Sequence, residues 1–200
     1  MMLIQTKEFK LETWGTMLSK PLIILLCGKA GVGKTTVATC LAGLFASGYE
    51  VNIGSFANSL KNCAQDYFGW DWEKDERGRK LLQELGRIGR EYDKDLCVKN
   101  LLYTDLNEAF PSDIYIIDDW RFPNEKAFIE GLGKYQVYTI RIKSNKRGGL
   151  NNKELDKHES ECSLEDEKVN MLLYNDYDTI EGLKEDVKKF IGIILKGKEV

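Results

Sequence analysis

Leu22-Ile23-Ile24-Leu25-Leu26-Cys27-Gly28-Lys29-Ala30-Gly31-Val32-Gly33-Lys34-Thr35-Thr36 is the stretch that decides the fold of this chain. The apolar run Leu22–Cys27 predicts a strand buried on both faces. Gly28 to Thr35 then fits the spacing G-x-x-x-x-G-K-[ST] in full. Glycines at 28, 31 and 33 let the backbone curl with its amides turned inward around a β-phosphate. A helix starting near Lys34 adds the positive end of its dipole. Lys34 is placed to neutralise charge between the β- and γ-phosphates of ATP, and Thr35 to offer its hydroxyl to Mg²⁺. The expected ATP-phosphate contacts are Gly28, Lys29, Ala30, Gly31, Val32, Gly33, Lys34, Thr35 and Thr36. The bland alternative, a glycine-rich turn with an exposed lysine, does not explain why an apolar strand runs straight into these residues.

Outward from this loop, Val37, Leu41, Leu44 and Phe45 share one face of a helix expected from about Lys34 to Ser47, with Gly48 as its stop. Further strands are predicted at Val51–Ser55, Ile114–Ile117, Val137–Ile142 and Val169–Tyr174. A last amphipathic helix carries Leu183, Val187, Phe190, Ile191 and Ile194. This alternation implies a three-layer α/β fold with a five-stranded parallel sheet and right-handed crossovers. The spacing is uneven in two places. About sixty residues between the second and third strands carry only helical signals, with apolar stripes at Leu81, Leu82, Leu85, Ile88 and at Leu96, Leu101, Leu102. Ser144 to Lys168 is polar, carries Gly148-Gly149, and reads as a mobile flap followed by a short helix. Residues 1–20 lack clear periodicity and read as an extension to a domain spanning 21–200.

The third strand ends in Asp118-Asp119, at the carboxyl end of a parallel sheet where ligands bind. One of these acids is expected to serve Mg²⁺ or its water shell; acids are also common at strand ends, and the sequence does not say which of the two serves. Arg121 can bridge phosphoryl oxygens, against the bland reading of a surface pair with Asp119 or Glu125. His158 is the only histidine, and a structural role is the simpler reading. Phe68, Trp70 and Trp72 suit a contact between helices or subunits better than stacking on a base.

The formal net charge of −3 argues against nucleic acid as a partner. The longest apolar run is too short to span a bilayer. Five cysteines without a C-x-x-C pair argue against a disulfide framework or a zinc site, and for reduced thiols in the cytoplasm. The expected partner is a small nucleotide, with neither nucleic acid nor membrane; a homodimer is left open.

With these residues assembled, the chain resembles the nucleoside monophosphate kinase group, and most the deoxynucleoside monophosphate kinases of bacteriophages and some bacteria. The resemblance spans roughly residues 20 to 195. It rests on the phosphate loop, Ser55-Phe56-Ala57-Asn58-Ser59-Leu60-Lys61, Leu81-Leu82-Gln83-Glu84-Leu85-Gly86, Asp119-Trp120-Arg121 and His158-Glu159-Ser160-Glu161. It implies a P-loop NTPase fold with a helical acceptor-binding insert at about 56–111 and a lid at about 144–157. It implies transfer of the γ-phosphoryl of ATP to a (deoxy)nucleoside monophosphate. Phe56, Lys61, Gln83 and Gly86 would line the acceptor site, with Arg87 and Arg90 nearby. Lys34, Asp119 and Arg121 would be catalytic, and Thr35, Asp118 and Asp119 would face the metal. Lys143, Lys146 and Arg147 would be lid cations, and Asn175 would lie near the adenine. Two other functions fit the phosphate loop: a kinase of another small phosphorylated acceptor, and an ATPase or switch module that moves a partner protein.

Overall fold

The computed structural model describes residues 18–104, 112–148 and 158–196. The expected N-terminal extension therefore lies outside the described residues as far as residue 17, as do 105–111 of the helical insert and 149–157 of the lid. The described elements run β1 (Leu22–Cys27), α1 (Lys34–Phe45), β2 (Val51–Gly54), α2 (Asn58–Phe68), α3 (Glu76–Tyr92), α4 (Leu96–Thr104), β3 (Ile114–Ile117), α5 (Pro123–Gly131), β4 (Gln136–Lys143), α6 (Glu159–Cys162), β5 (Met171–Tyr174) and α7 (Ile180–Lys196).

The strands form one parallel sheet in the order β2-β3-β1-β4-β5, with Leu22 opposite both Ile114 and Gln136. β1 sits at the centre, which is why each of its residues is buried. Its side chains alternate between two cores, as a strand must. Leu22, Ile24 and Leu26 join Val37, Leu41 and Phe45 of α1 and Leu183, Val187 and Ile191 of α7. Ile23, Leu25 and Cys27 join Val98 and Leu101 of α4, Ile129 of α5 and Trp120. Full burial of one such aliphatic side chain contributes roughly 1.5–3 kcal/mol. This is the expected three-layer architecture. The edges differ slightly from expectation: α1 ends at Phe45, β2 at Gly54, and β5 begins at Met171.

The 56–111 region is helical as far as it is described, but its apolar stripes are only partly buried. Ile88 is 54% exposed, and α3 buries only Gly78 and Gly86. α3 therefore lies over a cleft and adds little to a core. All five cysteines are free thiols. Among the described residues no helix is long and apolar enough to cross a membrane.

Candidate active site

The chain leaves β1 by a turn that only glycine can make. Gly28, Gly31 and Gly33 have φ of 141°, 78° and 90°, a region that side chains with a Cβ avoid. Space excludes side chains too: a Cβ on Gly28 would lie 2.2 Å from the Ile142 carbonyl oxygen, and one on Gly33 2.3 Å from Asn175 Nδ2. The loop thus closes into a cup at the N-terminus of α1. Lys34 folds over it, its Nζ donating to the Gly28 carbonyl at 2.6 Å and the Lys29 carbonyl at 2.9 Å. Burial, and then the positive charge of nearby Arg121, pull the Lys34 ammonium down to about 8. Thr36 is exposed on the first turn of α1.

Asn175 follows β5 and is 2% exposed, its Nδ2 donating to the Val32 carbonyl at 2.8 Å. Its amide braces the cup from beneath, and no open face of it is left for a base.

The adjacent acids after β3 have different partners. Asp118 Oδ2 accepts from the Thr35 hydroxyl at 2.6 Å, beside the cup. Asp119 lines the same cleft but spends its carboxylate on capping the start of the helical insert. It accepts from Ser55 Oγ at 2.6 Å, Phe56 N at 2.7 Å and Ala57 N at 3.1 Å. Asp118 with Thr35 is therefore the pair of hard oxygen donors available to Mg²⁺. Among the described residues no cluster of three or more His, Cys, Asp or Glu side chains could hold a metal alone. That donor set fits Mg²⁺, which takes one or two protein oxygens and completes its shell with phosphate and water.

Arg121 stands across the cup. Its backbone amide donates to Glu125, as does that of Phe122, each at 3.0 Å, so the buried carboxylate fastens the turn into α5. Burial drives Glu125 up to about 8 despite these two donors. The Arg121 guanidinium donates to the Ser160 carbonyl at 2.7 Å and to the Glu161 carboxylate. Glu161 also accepts from the Ala30 amide of the cup at 3.1 Å. His158 caps α6 through Nδ1, which accepts from Ser160 N at 3.2 Å. Its imidazole is held below the usual histidine value by burial and by Arg90.

Two cavities flank this centre. The first, about 380 Å³, joins the cup to the helical insert: Ala30, Gly31, Gly33, Lys34, Thr35, Asp118 and Arg121 on one side, and Phe56, Lys61, Gln83, Gly86 and Arg90 on the other. Lys74 and Arg79 line it as well, and sequence reasoning passed over both. The only hint was a lysine and an arginine in a charged run that otherwise reads as solvated. Lys74 follows an unusual backbone turn. Trp72 takes φ of 71°, its ring 5.3 Å from that of buried Trp70. Such a rare conformation for a residue other than glycine stands two positions ahead of Lys74. Neither tryptophan lines either of these two cavities; Trp70 is buried and Trp72 is exposed.

Arg87, expected near the acceptor, is on the other face of α3. It is 47% exposed, pairs with Glu84 at 3.0 Å and Glu91 at 2.6 Å, and lines neither cavity. The second cavity, about 640 Å³, lies outside the cup between Gly28, Lys29, Val32, Lys143, Arg147 and Gly148. Lys146 pairs with Asp178 at 2.9 Å, and Arg147 donates to the Tyr177 carbonyl. The segment after β4 is thus latched to the one after β5.

No known family model matches the chain, and no curated relative does. Among solved structures it is similar to an APS kinase of Mycobacterium tuberculosis, at 9% identity and a TM-score of 0.43 over 86% of this chain and 99% of that one. It is similar to a shikimate kinase of Aquifex aeolicus, at 15% identity and a TM-score of 0.46 over 88% and 97%. It is also similar to a chain of the PezAT toxin–antitoxin system of Streptococcus pneumoniae, at 25% identity and a TM-score of 0.38 over 66% and 50%. Likenesses this distant leave the activity to be argued from the site.

Proposed function

We propose that the chain is a P-loop kinase that transfers the γ-phosphoryl of ATP to a (deoxy)nucleoside monophosphate. The observation that carries this reading is the cleft opposite the cup. It is lined by Lys61, Lys74 and Arg79, and among the described residues none of the three forms an ion pair with a carboxylate. Burial, and then the charge of Lys61, hold the Lys74 ammonium below its ordinary value. Asp118 and Asp119 line the same cleft and offset part of this charge, yet Lys74 still lies below its ordinary value, so the three cations leave a place for a further anion. A phosphorylated acceptor supplies that anion, and a neutral hydroxyl acceptor does not. The same feature favours a kinase over a switch module, which has no need of a second anion site.

Phosphoryl transfer asks for positioning and charge stabilisation more than for covalent chemistry. The cup amides and Lys34 would hold the donor phosphates, and Lys61, Lys74 and Arg79 the acceptor phosphate. Arg121, between the two, would stabilise charge on the group in flight. Thr35 and Asp118 would hold Mg²⁺, whose chemistry is to bridge and neutralise donor phosphate oxygens. No general base is required, since the attacking oxygen belongs to a phosphate.

The test is ADP formation across all common ribo- and deoxynucleoside monophosphates, with neutral hydroxyl acceptors such as glycerol and glucose as controls. Acceptor-dependent turnover with monophosphates only is the expected result; turnover with hydroxyl acceptors alone overturns the reading. Within that assay, Lys74→Ala should raise the KM of the acceptor at least about tenfold, the worth of one charge-assisted hydrogen bond, with the KM of ATP unchanged.

Lys34 gives a pH signature. Donor phosphates favour its charged form, so binding raises its pKa above the value near 8 that burial sets. ATP affinity is therefore full below pH 8 and falls as pH rises through it, and binding near pH 8 takes up protons. Calorimetry in two buffers of different ionisation enthalpy reads this uptake directly.

A further inference from the structure

Glu161 lies where an anion is least expected among protein side chains. Its carboxylate side is 4% exposed and sits at the rim of a cup built to attract phosphate. One oxygen accepts from the Ala30 amide of that cup at 3.1 Å. The other is held by the Arg121 guanidinium. A backbone amide and an arginine converging on one oxyanion are the two kinds of donor that a phosphoryl oxygen uses. The carboxylate also belongs to a wall. Arg121, Ser160 and Glu161 line both cavities, so the pair separates the space outside the cup from the cleft.

We propose that Glu161 is an intramolecular stand-in for a nucleotide phosphate, holding Arg121 and the Ala30 amide in place in the empty cup and leaving when the nucleotide arrives. A carboxylate and a phosphate cannot share these donors without strong like-charge repulsion. Nucleotide entry therefore displaces Glu161, and with it α6, whose Ser160 carbonyl is also fastened to Arg121. The device keeps the donors converged while the site is empty, and it weakens nucleotide binding by the strength of the contact that must be broken.

This inference rests on the cup being a nucleotide site, and the experiment separates the two claims. Binding of MgATP and of inorganic tripolyphosphate is measured by calorimetry for the wild-type chain and for Glu161→Gln, with melting curves to verify that both are folded. The expected result is tighter binding of both ligands to Glu161→Gln, by about fivefold or more, because the competing charge is gone. Equal or weaker binding to the variant, or a fall in kcat with unchanged affinity, overturns the stand-in and leaves the nucleotide site intact. No binding to the wild-type chain overturns both. A second measurement needs no variant. In the wild-type chain, saturating tripolyphosphate should slow amide hydrogen exchange at 28–36 and speed it at 158–163. Slower or unchanged exchange at 158–163 overturns the proposal.

Discussion

Lys34→Ala lowers phosphoryl transfer by about a thousandfold or more, the scale seen when a key charge-stabilising group is removed from a phosphoryl-transfer site. The melting temperature of the variant stays within about 3 °C of the parent, because losing a partly buried cation with two carbonyl contacts costs on the order of 1 kcal/mol. Among the described residues the side-chain ammonium bonds to the Gly28 and Lys29 carbonyls, and it belongs to neither apolar core. Its removal also abolishes the proton uptake that accompanies ATP binding near pH 8. Parental turnover in the variant would remove the case for the cup as the donor site. Steady-state kinetics beside a thermal melt settles the question in one preparation.

Asp118→Asn and Asp119→Asn should part company although the residues adjoin. Asp118→Asn loses about a hundredfold or more in turnover, with a raised Mg²⁺ requirement, since its partner is the Thr35 hydroxyl beside the cup. Its stability changes little. Asp119→Asn turns a carboxylate that accepts three hydrogen bonds into a group with a donor facing donors. That costs about 3 kcal/mol, or roughly 6–12 °C in melting temperature for a chain of this size. Its turnover at low temperature falls less than that of Asp118→Asn. The reverse pattern, a stable but Mg²⁺-blind Asp119→Asn, would exchange the roles argued for the two acids.

That contrast shows where reading the chain alone runs out. The phosphate loop is legible because strand, glycines and lysine are contiguous, and a contiguous segment carries its own conformational instructions. β1 and β3 are legible for the same reason, as unbroken apolar runs. Asp118 and Asp119 are not separable from sequence, because they are identical side chains at adjacent positions after β3 and both line the cleft. Only the distant partners, Thr35 on one side and Ser55 with Phe56 on the other, tell them apart. Arg87 is a different kind of miss. Glu84 and Glu91 stand three and four residues away on the same helix, a pattern that marks a solvent-facing charge, and the family resemblance outweighed it. Lys74 reaches the cleft from an irregular loop that turns at Trp72, and nothing in the residue type announces a positive φ there. The distant partner also explains Asn175. The family resemblance set it near the adenine, and the structure sets its amide against the loop that would hold the phosphates.

The reach of that amide has a bearing on how the protein comes into being. Val32 and Asn175 are 143 positions apart in the chain, and Asn175 N is itself pinned to the Lys143 carbonyl at 2.7 Å as β5 docks on β4. During vectorial synthesis the glycine turn emerges well ahead of its underpinning, which is translated 143 residues later. A ribosome-bound nascent chain that stops short of residue 175 should therefore carry the motif without its grip, and nucleotide capture should switch on abruptly once β5 and Asn175 are released.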